Sequence, residues 1–151
     1  MTPDSCPEAA MSEPLRTHRV LESALYVEDP GAVIAFYRDK LGFPVVAGNG
    51  GRITALDAGG ATVLLVFKRG GSARGVEFSG GRIPPCDGQG PTHLAFAIGA
   101  DEFEEWEKLL VQRGIPIEST VKWERGGRSL YVRDPAGNSV ELATPGVWST
   151  Y

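Results

Sequence analysis

Long apolar runs are missing from this chain. None approaches the roughly 18 residues that a membrane-spanning helix needs, so no such helix is expected. Cysteine is scarce. Cys6 and Cys86 are the only two, too few for a disulfide framework, and both are expected as free thiols in a reducing cytoplasm. Positive charge is not in excess either: 15 Lys and Arg against 19 Asp and Glu give a net charge of −4. Those basic residues are scattered, which excludes the concentrated basic face that a phosphate backbone requires. The start of the chain lacks the apolar stretch of a signal peptide. Pro3, Pro7 and Pro14 stand there among Ser, Glu and Ala, so residues 1–18 are expected to be a poorly ordered tail, dispensable for folding.

Glycine and proline, by contrast, punctuate a readable pattern. In 129–142, two alternating runs flank Asp134-Pro135-Ala136-Gly137. Pro presets φ and Gly supplies a positive φ, so the segment reads as a β-hairpin. Leu130, Val132, Val140 and Leu142 share one parity and face a core, which turns Glu141 to the opposite face. Upstream, a strand over 19–27 is followed by Asp29-Pro30, an N-cap with proline at the first helical position. Val33, Ile34, Tyr37 and Leu41 then recur at helical spacing before Gly42. Strands are expected over 43–47, 52–57 and 61–68.

The second half repeats this order, with a strand over 93–98, a helix over 101–113 and strands over 115–122, 128–133 and 138–143. Its helix carries Phe103, Trp106, Leu109 and Leu110 on the apolar face. Glu22-Ser23-Ala24-Leu25 lines up with His93-Leu94-Ala95-Phe96, and Asp57 with Asp134. A duplicated unit of this kind cannot bury its sheet face alone. The expected fold is α+β: two βαβββ modules whose paired sheets form a cleft. The modules span 19–68 and 92–145, joined by an irregular Gly-, Ser- and Pro-rich arm over 69–91, with a short tail over 146–151. An arm of that length permits pairing within one chain or a swap between two.

Parity then assigns the uncovered faces. Glu22, Ala24 and Tyr26 come from the first strand, His93, Ala95 and Ala97 from its counterpart. The hairpin adds Ser129, Tyr131, Arg133, Ser139, Glu141 and Ala143, and the first module's inner strands add Arg52, Thr54, Leu56, Thr62, Leu64 and Val66. Two carboxylates and an imidazole thus share one concave surface. Burying an unpaired carboxylate is costly and two together repel, whereas one divalent cation satisfies Glu22, His93 and Glu141 at once. Three protein ligands leave coordination positions open, as at a catalytic metal. Each residue also has an ordinary reading: His93 as a satisfied core histidine, Glu22 paired with Arg52 or Arg128, Glu141 paired with Arg133 or Arg128, Ser129 and Tyr131 as packing. Trp106 belongs to the core. Trp123 and Trp148 fit a pocket rim.

Several segments together carry a resemblance: Asp29-Pro30, Phe36-Tyr37-Arg38-Asp39-Lys40-Leu41-Gly42-Phe43, Gly90-Pro91-Thr92-His93-Leu94-Ala95-Phe96 and Asp134-Pro135-Ala136-Gly137-Asn138-Ser139-Val140-Glu141. The chain resembles the vicinal oxygen chelate superfamily, which includes glyoxalase I, extradiol dioxygenases, fosfomycin-resistance enzymes and bleomycin-binding proteins. The likeness runs over about residues 19 to 145. It implies a U-shaped metal cleft, with ligands from the first and last strand of each module: Glu22, His93 and Glu141, with Leu64 at the fourth position. A Glu at the first position and Leu64 at the fourth depart from bacterial glyoxalase I. With His18 and His93 the only histidines, ring cleavage by an extradiol mechanism is not expected. The basic phosphonate-binding residue that follows the last Glu in fosfomycin enzymes has no match in 142–151.

The resemblance therefore implies a small glyoxalase-like metalloenzyme of lyase, isomerase or thiol-transferase type, similar to lactoylglutathione lyases. Its substrate chelates one divalent ion per chain (Zn, Mn, Ni or Fe) through vicinal oxygens. Glu22 or Glu141 would serve as general base, and Arg52, Ser129, Tyr131 and Trp123 as substrate contacts. The expected partners are a small-molecule substrate and a second copy, as a homodimer with a shared cleft, without nucleic acid or membrane. The alternative is a metal-free protein that binds an antibiotic or other small ligand on Trp123, Trp148 and Tyr26.

Overall fold

Strand β1 (Glu22–Val27) ends two residues before Asp29, whose Oδ1 accepts from Ala32 N at 3.1 Å and caps helix α1 (Pro30–Ala35). This computed structural model describes residues 19–48, 50–78, 80–149 and 151; the tail expected over 1–18 lies outside them. Helix α1 widens into a single π-helical turn, Phe36–Lys40, and Gly42 leaves it at φ +81°. Only a residue without Cβ takes that conformation cheaply. Strands β2 (Val45–Gly48), β3 (Ile53–Asp57) and β4 (Val63–Lys68) complete the first module.

After the arm come β7 (His93–Ala97), a 3₁₀ turn (Ala100–Glu102), helix α2 (Phe103–Gln112), β8 (Ser119–Lys122), β9 (Arg128–Arg133) and β10 (Ser139–Ala143). The two four-stranded sheets have equivalent orders, β1-β4-β3-β2 and β7-β10-β9-β8. In each, the first and last strands run parallel and the other pairs antiparallel. This is the expected pair of βαβββ modules. It leaves β1 and β7 as edge strands, each with one side open to a further strand.

One apolar core holds the modules together. Leu25, Val27, Leu64 and Val66 enter it from the first sheet, Leu130, Val132, Val140 and Leu142 from the second, with Val33, Ile34 and Tyr37 from α1. Phe43 and Phe96 meet edge to face across the boundary, ring centroids 5.0 Å apart, and Lys40 Nζ donates to Arg113 O at 3.0 Å. Beneath α1, Tyr37 donates to Asp134 Oδ2 at 3.1 Å, and Asn138 Nδ2 donates to the same oxygen at 2.7 Å. Asp134 Oδ1 accepts from the Ala136 and Asn138 amides, both at 2.9 Å. Asn138 Oδ1 in turn accepts from Thr92 N. The hairpin turn is thus bolted to the opposite module by a satisfied buried network.

Three expectations are corrected. The arm is not wholly irregular: β5 (Val76–Phe78) and β6 (Gly81–Ile83) pair as a small hairpin. Strand β8 begins at Ser119 rather than Ile115, because Ile115 is buried and its amide closes the end of α2 on Leu110 O. The third concerns the inner strands of the first module. Thr54, Leu56, Leu64 and Val66 are buried on the core side, and the open side is Ile53, Ala55, Asp57, Val63, Leu65 and Phe67. Register shows why. Asp57 pairs with Val63 and Arg133 with Ser139, so the counterpart of Asp57 is Arg133, one residue short of Asp134. A one-residue slip in a period of two turns every side chain over.

Candidate functional site

Alternation along β10 puts Val140 and Leu142 in the core and sends Glu141 to the other side of the sheet. Its neighbours there follow from register: Ala95 on β7 and Tyr131 on β9 lie directly beside it. His93, two residues before Ala95, brings Nε2 to 3.3 Å from Glu141 Oε2, with the imidazole half exposed. The His93 and Tyr131 rings lie nearly parallel, centroids 6.2 Å apart. Burial, then the adjacent Glu141 carboxylate, holds the Tyr131 phenol above its usual range, while Ser129 pulls it down. Burial and Glu141 disfavour the phenolate more than Ser129 favours it, so the Tyr131 hydroxyl is neutral at ordinary pH.

Glu141 Oε1 is buried and has no hydrogen-bond partner. A carboxylate oxygen left this way costs several kcal/mol unless something cationic or proton-bearing meets it. This oxygen and the adjacent His93 imidazole together form a pair that could hold one side of a divalent cation.

Ser129 lies two residues before Tyr131 on the same face, fully buried, and accepts from Trp123 Nε1 at 2.8 Å. Trp123 itself is 38% exposed. It sits where it does because the β8–β9 turn is tight: Gly127 O accepts from Trp123 N, and Trp123 O from Gly126 N. A Cβ at Gly127 would lie 2.4 Å from Val147 N. Gly127→Ala is therefore expected to push the turn off the C-terminal segment and destabilise the chain by roughly 1–3 kcal/mol, read as a lower urea midpoint.

The structure thus gathers five of the expected site residues, His93, Glu141, Tyr131, Ser129 and Trp123, on the open face of the second sheet. It does not bring Arg52, Glu22 or the fourth-position Leu64 there. Arg52 donates to Ser72 Oγ at 2.9 Å and to Gly71 O, so it braces the arm. Leu64 is buried in the core; the residue matching Glu141 by register is Leu65, beside Ala24 as Glu141 is beside Ala95. Glu22 is exposed at the start of β1, opposite Val63. Among the described residues, no group of three His, Cys, Asp or Glu side chains comes together, and the expected pairings of Glu22 and Glu141 with arginine are not made.

Glu22 shares its face with Tyr26, which stacks on Phe67 with centroids 5.1 Å apart. The arm crosses this end. Gly88 lies against the Tyr26 ring, where a Cβ would come within 2.9 Å. The Tyr26 phenol is pushed up to about 12, mainly by its hydrogen bond with Cys86 and then by burial. Cys86 is a free thiol, as expected; Cys6 lies outside the described residues. Sequence reading did not find the Tyr26–Cys86 contact, since nothing in an irregular arm fixes where it passes. Among the described residues no helix is long and apolar enough to cross a membrane.

Comparison with known proteins fits this architecture. The family model for the Glyoxalase/Bleomycin resistance protein/Dioxygenase superfamily matches residues 18–142. A lactoylglutathione lyase from Agrobacterium tumefaciens superposes with a TM-score of 0.79 at 34% identity, covering 88% of this chain and 98% of that one. A metallothiol transferase FosB from Lysinibacillus sphaericus is 26% identical over 119 residues, 78% of this chain and 76% of its own length. A second metallothiol transferase FosB, from Staphylococcus saprophyticus, is 41% identical over 54 residues, 35% of this chain and 36% of its own length.

Proposed function

Because this chain belongs to the Glyoxalase/Bleomycin resistance protein/Dioxygenase superfamily, we propose that it is a metal-dependent enzyme of the glyoxalase-like branch, acting on a small molecule with two vicinal oxygens. The observation that carries the reading is the orphaned Oε1 of Glu141 beside His93. His93 and Glu141 would hold a divalent ion from one module. Glu22, exposed on the matching face of the other sheet, would supply the third ligand from a second chain. A structural relative is a lactoylglutathione lyase, and two sequence relatives are metallothiol transferases, which favours lyase or thiol-transfer chemistry over ring cleavage.

When bound, the metal would supply Lewis acidity, stabilising negative charge as it develops on a substrate oxygen. The remaining work falls to this chain's side chains. Tyr131, directly beside Glu141 on the neighbouring strand, would donate toward that carboxylate or toward the substrate. The near-parallel His93 and Tyr131 rings would form one wall of the site. Glu22, the more exposed carboxylate, is the group free to swing and accept a proton from the substrate as general base. Trp123 and Tyr131 offer flat surface to a substrate edge.

Protein purified without chelator is expected to carry a divalent metal, and Glu141→Ala to lose it while keeping its thermal transition. Elemental analysis of the two proteins decides the point. Metal content equal in both would overturn the assignment. Metal in neither, with a small ligand bound at Trp123, would establish the metal-free binding role instead.

A further inference from the structure

A groove of about 1000 Å³ lies between the two modules of one chain, at the upper end of the size that small-molecule sites take. One wall is strand β7, from His93 to Ala97. The other is Val20 and Ser23 from the start of the first module, with Val63 from β4. Two of these residues tie the groove to the Glu141 site. His93 Nε2 is 3.3 Å from Glu141 Oε2, and Ala95 lies directly beside Glu141 across the β7–β10 ladder. From His93 the strand carries the groove roughly 13 Å further, to Ala97.

The lining is apolar. Among the described residues that form it, Arg19 alone carries a fixed charge, and no carboxylate is present. Val20 is 67% exposed, an aliphatic side chain left in water that a bound apolar group would cover. On the open face of the second sheet, Arg133 is held by Glu118 at 2.5 and 2.9 Å, so an anionic tail finds no free guanidinium there. We propose that this groove binds an extended aliphatic chain of the substrate, so that the vicinal oxygens offered to His93 and Glu141 belong to a molecule with a hydrocarbon tail. The inference rests on the metal reading only for what anchors those oxygens.

Alkyl hydroxamates carry two vicinal oxygens and a tail of chosen length, which makes them suitable probes. Cobalt(II)-loaded protein is titrated by calorimetry with the series from acetohydroxamate to octanohydroxamate. Wild type is compared with Ala97→Phe, which fills the groove, and Ala97→Asp, which charges it without filling it. Ala97 is exposed, so neither change disturbs the core. In wild type, affinity is expected to rise about threefold for each added methylene. In both variants the rise should flatten for the longer chains, while acetohydroxamate binds as in wild type. Metal-free protein is titrated with the neutral dye N-phenylnaphthylamine, followed by fluorescence with octanol as competitor. Both variants should weaken its binding about tenfold or more. A flat hydroxamate series in cobalt-loaded wild type, or an undiminished one in both variants, overturns the proposal. So does dye binding that disappears as the protein associates, because the groove then belongs to a second copy. If wild type takes up no cobalt but binds the dye, and both variants lose it, the groove stands and the metal reading fails.

Discussion

Asp134→Ala is expected to cost about 3–5 kcal/mol, the largest stability loss of any single substitution on the β9–β10 hairpin. The carboxylate accepts from four donors: Tyr37 Oη, Asn138 Nδ2 and the amides of Ala136 and Asn138. Tyr37 is fully buried and Asn138 nearly so, so the freed donors find little water. Burial, then Asp134, raises the Tyr37 phenol well above its usual range, and it stays a donor throughout the pH range in which the protein is handled. Each unmet buried donor costs about 1–3 kcal/mol, and relaxation of the turn recovers part of the sum.

Two milder variants separate the network from the turn. Tyr37→Phe removes one donor while Asp134 Oδ2 keeps Asn138 Nδ2, for a cost near 1 kcal/mol. Asp134→Asn sets an amide against Asn138, donor against donor on one side, and falls between. For a chain of this size each kcal/mol moves the melting temperature by roughly 2–4 °C, so thermal unfolding resolves the three. Equal melting points for Asp134→Ala and Tyr37→Phe would show that the amide bonds carry no stability. Because the same turn launches β10, the loss should also blur the placement of Glu141, two residues into that strand.

This network marks the boundary of what the sequence makes legible. Asp134-Pro135-Ala136-Gly137 reads as a turn because its requirements are local. Nothing local says that its aspartate meets Tyr37, 97 residues earlier. Parity was equally local, and it placed Leu130, Val132, Val140 and Leu142 in the core and Glu141 on the other face, as observed. Parity failed for Leu64 and Val66, where the first module's β3–β4 loop was matched to the second by its aspartate. The ladders align Asp57 with Arg133 instead, a slip of one residue that composition cannot reveal. Arg52 was misread for a different reason: its guanidinium follows the arm and not the strand face. For Trp123 the sequence suggested a pocket rim, but nothing in it showed the Ser129 hydroxyl that accepts from the indole.

Mixing Glu22→Ala with His93→Ala protein is expected to restore metal binding that neither has alone. The fold supports this because the core consumes the helix-facing sides of both sheets within one chain. The faces bearing Glu22 and His93 are left open, on edge strands β1 and β7 of separate sheets. An isologous dimer joining module one of one chain to module two of the other closes both faces at once. Each of its two clefts then draws Glu22 from one protomer and His93 with Glu141 from its partner. In a mixed dimer both substitutions fall in the same cleft, leaving the other intact. After denaturation and refolding of an equal mixture, half of the dimers are mixed and each regains one cleft of two, so metal content should recover to about a quarter of wild type. Glu141→Ala mixed with His93→Ala is the control, because those two residues sit on the same module and every cleft keeps a defect. Recovery in the control as large as in the test mixture, or none in either, would mean that Glu22 and His93 are not shared across the dimer in this way.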